Sequence, residues 1–197
     1  MAAAGLVFRH PDAWRRATAH PFLEAIREGT LPQASFQSWL SQDYLFITDL
    51  LAFQAGLLAR APRPPQRVLA AGLVALEAEL TWFEQSAGEL SLSLDSRRHP
   101  TTEAYRAALQ RLLEAGEPPA LTGLWTLERA YLEAWRSAAP GAPPYRRFVE
   151  HWTVPEFASY VSDLEALAGE APEHEGAFLE VCELEGAFWD MAWSSDA

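Results

Sequence analysis

The sequence predicts an all-α fold, and two observations carry the prediction. Clusters of proline and glycine cut the chain into segments that each repeat apolar residues at three- and four-residue steps, the period of a helix with one buried face. No stretch alternates apolar and polar residues long enough to suggest a half-buried strand. At 197 residues, 49% hydrophobic and 21% charged, the chain has material for one core and too little length for two comfortable ones. A single-domain helical bundle over residues 1–197 is the expectation.

The first helical piece covers roughly Asp12 to Glu28, kinked or restarted at Pro21 and ended by Gly29. A long helix runs from Pro32 to about Ala61, where Pro62 and the next prolines stop it, and it would span roughly 45 Å. The next runs from about Pro65 to Ala87 on a stripe of Leu69, Leu73, Leu76, Leu80 and Phe83, flanked by Glu77 and Glu84. After a polar connection at Leu92 to His99 come helices at Pro100 to Ala115 and Pro118 to about Ala138. Ala139 to Pro144 reads as a turn. Tyr145 to His151 and Pro155 to Ala168 form a pair or a broken helix, and the last helix runs from about Pro172 to Ser194.

Three of these helices carry an acid where the stripe should be oily. Asp43 falls among Phe36, Leu40, Ile47 and Leu50; Glu128 among Leu121, Leu124, Trp125 and Leu132, with Tyr131 three residues on; Glu185 among Phe178, Val181, Cys182, Phe188 and Trp189. An ionised carboxylate without partners in a core costs more than its packing returns, so each must meet a donor or line a wet, ligand-sized cavity. Aromatic walls with a few fixed polar groups suit a small flat ligand. The plainer reading is an acid at the core rim paired with a nearby arginine, and Arg129 stands beside Glu128.

Fifteen basic residues against 27 acidic give a net charge of −12, which repels phosphate backbones and anionic lipid and argues against a nucleic-acid binder. One cysteine, Cys182, excludes an intramolecular disulfide framework and a cysteine-rich zinc site. The start lacks a basic stretch followed by a long apolar run, and nothing reads as a membrane span, so a soluble cytoplasmic protein is expected.

Two motifs carry a family resemblance. His20–Pro21–Phe22, Gly29 to Pro32, and the run F-x-x-W-L-x-Q-D-Y-L-F from Phe36 to Phe46 resemble the amino-terminal signature of the TenA/thiaminase II family. Near the other end, E-G-A-F-W-D-M-A from Glu185 to Ala192 resembles that family's carboxy-terminal signature. The resemblance implies a haem-oxygenase-like helical fold, a homotetramer, no cofactor and no metal, and a small aminopyrimidine as substrate. It places Asp43 and Glu185 at catalytic positions and Phe46, Glu128, Tyr131 and Trp152 in the substrate pocket. Aligning the family's fifth-helix tyrosine with Tyr131 puts Leu127 where many members carry a nucleophilic cysteine. Phe46 and Trp152 stand at two tyrosine positions. This pattern resembles the cysteine-lacking TenA-E branch, which implies thiamin salvage by hydrolysis of aminopyrimidines or their N-formyl derivatives. In that reading Glu185, desolvated by Phe188 and Trp189, moves the protons, and Asp43 pairs in ionised form with the ring.

Two alternatives stay open. A pocket that kept its ligand but lost its nucleophile would be a non-catalytic pyrimidine-binding protein. A metal-dependent oxidase of the same fold would need Glu-x-x-His pairs on facing helices, and His10, His20, His99, His151 and His174 all sit beside prolines, at breaks or near helix ends.

Overall fold

A computed structural model of the chain describes residues 3–168 and 172–194. Ten helices appear among the described residues: α1 (Ala4–Arg9), α2 (Pro11–Thr18), α3 (Pro21–Glu28), α4 (Gln33–Arg60), α5 (Arg63–Leu90), α6 (Pro100–Ala115), α7 (Glu117–Ser137), α8 (Arg146–Trp152), α9 (Pro155–Leu167) and α10 (Pro172–Trp193). The all-α expectation holds. The single helical piece expected over Asp12 to Glu28 is two helices, because a proline disfavours helical backbone in the residue before it: His20 is extended, and its ring nitrogen accepts from the Phe22 N–H to cap α3. Helix α1 lies outside the expected elements. Gly29 ends α3 at φ +77°, where an added Cβ would lie 2.9 Å from the Ala142 Cβ, so both the turn and the close approach call for glycine.

At 28 residues, α4 is about 42 Å long and crosses the bundle against α5 and α6. Helix α7 packs against α10 and α9, and α10 also covers α2 and α6. Behind the long helices lies an aromatic layer in which Trp39 meets Trp135 and Trp152 edge-on at 5.2 and 5.6 Å and Phe148 closes the far side. These offset and edge-to-face contacts fix the direction of Trp152.

The polar connection between α5 and α6 is held to α4 by Gln42 and by the pair of Arg98 with Asp49. Gln42 donates to the Ser96 hydroxyl and the Arg97 carbonyl and accepts from the His99 N–H and the Thr102 hydroxyl, at 2.7–3.1 Å. The residue before Asp43 therefore ties the α5–α6 connection to α4. No helix among the described residues is long and apolar enough to cross a membrane.

Candidate active site

Four acids from four helices point into one inner cavity: Asp43 from α4, Glu79 from α5, Glu128 from α7 and Glu185 from α10. Asp43, Glu185 and Glu128 are only 2%, 5% and 7% exposed. Three of the four receive a neutral donor. The Tyr131 hydroxyl donates to Asp43 at 2.6 Å, the Tyr105 hydroxyl to Glu185 at 2.5 Å and the Trp152 indole N–H to Glu79 at 2.5 Å. Arg129, next to Glu128 in sequence, turns the other way, to Glu133 at 2.5 Å and Glu165 at 3.1 Å. A one-residue step around a helix is about 100°, enough to send the guanidinium to the outer face. The rim pairing of Glu128 with Arg129 is thus excluded.

Removal from water penalises the charged form of an acid, and it dominates the proton affinity of all four. Burial raises Glu185 and Glu79 each to about 7, with the Tyr105 and Trp152 bonds pulling only weakly the other way. Burial raises Asp43 well above its ordinary value of 3.8, against the Tyr131 bond and with help from the neighbouring Glu79 and Glu185. Glu128 is raised by burial and by the same two neighbours. Burial thus works against the ionised form expected for Asp43, and a ligand that pairs with its carboxylate would work for it.

The inner cavity, about 30 Å³, has room for one or two water molecules. Its walls include Phe46, which packs on Tyr105 at 4.5 Å and on Phe188 at 5.9 Å. Tyr131 is stacked against Trp189 at 6.2 Å, and Leu127 faces the same space. Leu76, Glu79, Glu128, Trp152 and Phe157 separate it from a larger outer chamber of about 530 Å³.

All six residues singled out from the sequence, Asp43, Phe46, Glu128, Tyr131, Trp152 and Glu185, line the inner cavity. Glu185 is held by Tyr105, while Phe188 packs on Phe46 and Trp189 donates to the Ala17 carbonyl at 3.0 Å. Cys182 is buried, its thiol pushed up to about 12 by burial and by Glu185, so it is a poor nucleophile there.

Sequence reasoning misses Glu79 and Tyr105. On α5 the buried line is Leu69, Gly72, Leu76 and Phe83, and Glu79 continues it; Leu73 and Leu80 are only half-buried, Glu77 is exposed and Glu84 accepts from Tyr44 at the surface. Reading Gly72 as a member of the stripe would have exposed Glu79. Tyr105 follows Thr102 and precedes Leu109 and Leu112 on the inner face of α6, and a buried hydroxyl in that line is the signal available. Among the described residues no group of three or more histidines, cysteines or acids is arranged to hold a metal ion.

A helical bundle with acids and aromatic rings around a central cavity defines a protein of the class that encloses a small flat ligand within its core. The chain belongs to the TENA/THI-4/PQQC family, whose sequence model matches residues 9–195. Among its relatives is a "probable bifunctional TENA-E protein" of Glycine max, 29% identical over 93% of this chain and 90% of that protein. An aminopyrimidine aminohydrolase of Halalkalibacterium halodurans is 26% identical over 98% of this chain and 95% of its own length. In structure the chain resembles a TenA homologue from Pyrococcus furiosus, with a TM-score of 0.91 and 31% identity over 97% of this chain and 99% of that one.

Proposed function

We propose that this chain is a thiamin-salvage hydrolase that cleaves the exocyclic C–N bond of a small aminopyrimidine, either the aminomethyl compound or its N-formyl derivative. One observation carries the reading: four acids, three of them buried and Glu79 half-buried, converge on an aromatic cavity whose lining holds no thiol, and Asp43, Glu79 and Glu185 have neutral donors for partners. The names of the soybean and Halalkalibacterium relatives support it.

Asp43 and Tyr131 are the ring-binding pair. A carboxyl group bonds in two places to a ring nitrogen and its adjacent amine, and the raised proton affinity of Asp43 suits it to share a proton with the ring nitrogen. Glu185 is the proton carrier. In ionised form it takes a proton from water, whose oxygen bonds to the substrate carbon; the C–N bond breaks and the proton passes to the departing nitrogen. With N-formyl substrate the products are formate and the amine. Tyr105 orients Glu185 by its hydrogen bond. Ring entry requires the shared wall at Trp152 and Phe157 to give, since the inner space is far smaller than a ring.

The test is to incubate purified protein with 4-amino-5-aminomethyl-2-methylpyrimidine and its N-formyl derivative and to follow products by mass spectrometry and binding by calorimetry. Turnover of either is expected. Tight binding without turnover would make the chain a pyrimidine-binding protein, and no response to either compound beside a clear response to an unrelated metabolite would overturn the proposal.

A cytoplasmic homotetramer belongs to the same proposal. Phe8 and Val74, 84% and 71% exposed, are apolar side chains that a partner copy would cover. Light scattering that shows a monomer across micromolar concentrations would remove the assembly.

A further inference from the structure

The outer chamber is larger than hydrolysis of a formamide or an amine requires. A formyl group is three atoms, and formate or ammonia leaves without a chamber of about 530 Å³. Space of that size is what encloses a whole small molecule. The chamber lies between α5 and the α8–α9 pair, and one wall is aromatic: the Trp82 and His151 rings stack at 3.9 Å, 9° from parallel, with Trp152 edge-on to both. Phe157 and Tyr160 continue the aromatic lining. Burial holds His151 neutral, at about 4, so this wall carries no charge near neutral pH.

Charge in the chamber has one sign. Glu79 and Glu128 stand in the wall shared with the inner cavity and Glu156 at the exposed rim, no arginine lines the space, and the chain has no lysine. An anionic group brought here meets acids and no cation. A flat neutral group gains the aromatic wall.

We propose that the outer chamber is a subsite for the N-acyl group of an N-acylaminomethylpyrimidine, and that it selects flat, uncharged acyl groups larger than formyl, an aroyl group above all, against anionic ones. The inference rests on the hydrolase reading. With the ring among Asp43, Tyr131 and Glu185, an N-substituent that points past Glu79 and Glu128 crosses the shared wall into the aromatic chamber. Water's oxygen adds to the acyl carbon, the C–N bond breaks, and the proton goes to the nitrogen. The acyl group enters neutral and leaves as a carboxylate, for which the chamber lining offers no cation. The chamber thus favours substrate over product.

The test compares kcat/KM for the N-formyl, N-benzoyl and N-succinyl compounds and for the neutral amide of the last. The benzoyl compound is expected to match or exceed the formyl one, and the succinyl compound to fall about tenfold or more below its neutral amide. Trp82→Ala should lower the benzoyl-to-formyl ratio about tenfold, Trp82→Phe should restore most of it, and Glu156→Gln should narrow the succinyl penalty. Restoration by Phe separates lost stacking from a damaged fold. A benzoyl compound cleaved a hundredfold less well than the formyl one, with the ratio unmoved by either Trp82 variant, overturns the subsite while leaving the hydrolase intact. If no compound is cleaved, the hydrolase reading fails instead, and calorimetry decides the subsite: benzoyl must bind more tightly than formyl in a Trp82-dependent way, and equal binding overturns it.

Discussion

Glu128 and Arg129 are neighbours in sequence and belong to two electrostatic worlds. On the outer faces of the bundle, acids meet guanidinium groups: Arg129 holds Glu133 and Glu165, Arg98 grips Asp49 with two N–H groups, and Arg111 reaches Glu180 at 2.6 Å. In the inner cavity the acids meet two phenols and an indole. A guanidinium favours the charged form of an acid beside it, as Arg98 does for Asp49 against the burial that raises it. A phenol or indole fixes direction while leaving the proton free to come and go. Buried acids with neutral partners therefore cost stability and gain chemistry, whereas the outer pairs do neither to any great extent.

The largest expected effect breaks the chemistry of the inner group. Glu185→Gln keeps the shape and the Tyr105 contact but has no proton to carry, so kcat should fall by about 10²–10⁴, while calorimetry shows substrate binding within a fewfold of the parent. In the parent, kcat/KM should rise with pH to a limb near 7, where Glu185 ionises in the free protein. Asp43→Asn, by contrast, should weaken binding as well as rate. Parent activity in Glu185→Gln would remove Glu185 from the reaction.

Next in size is the stability that these acids cost. Folded, Glu79 and Glu185 hold their protons up to about 7; the ordinary value is 4.5. Between those values the folded chain binds more protons than the unfolded one, so stability is fullest below about 4.5 from these two groups and falls as pH rises to about 7. Each acid contributes a loss on the order of 3 kcal/mol across that range. Denaturant titrations from pH 5 to pH 8 should show the fall, and Glu185→Gln should flatten part of it. A parent whose stability rises steadily over that range would mean the cavity acids are paired after all.

Most of this fold is legible because helix period and proline punctuation are local signals, and each long helix announces itself within its own residues. Asp43, Glu128 and Glu185 are legible for the same reason, each breaking an apolar stripe. Glu79 is not, because the α5 stripe passes through Gly72, which has no side chain to mark it. The glycine is there for its neighbours: a Cβ on it would lie 2.2 Å from the Gln54 amide nitrogen and 2.4 Å from the Tyr160 hydroxyl. Tyr105 is illegible because its importance is a contact with α10, and sequence spacing within α6 carries no word of that. The two cavities and their shared wall are likewise products of packing between distant segments.

A smaller effect tests the thiol. Cys182 is buried and its sulfur is held protonated, so Cys182→Ser should leave kcat within about twofold and cost about 1 kcal/mol of stability for burying a hydroxyl. If that variant is dead while Glu185→Gln turns over at the parent rate, a thiol on α10 performs the reaction and the carboxylate mechanism falls.

The smallest expected effect sits among the outer pairs. Arg129 is half-exposed and divides its guanidinium between Glu133, which also accepts from the Trp14 indole at 2.8 Å, and Glu165 on α9. Solvent screens both pairs, so Arg129→Gln should cost no more than about 1 kcal/mol, seen as a small shift of the denaturant midpoint. The kcat/KM limb near pH 7 should stay where it is, because the guanidinium turns away from the cavity. A limb that moves upward in Arg129→Gln would mean that the arginine was holding a cavity acid toward its ionised form from across the helix. The inner and outer acids would then be one network, and the neutral partners of Asp43, Glu79 and Glu185 would no longer explain why those groups can exchange protons.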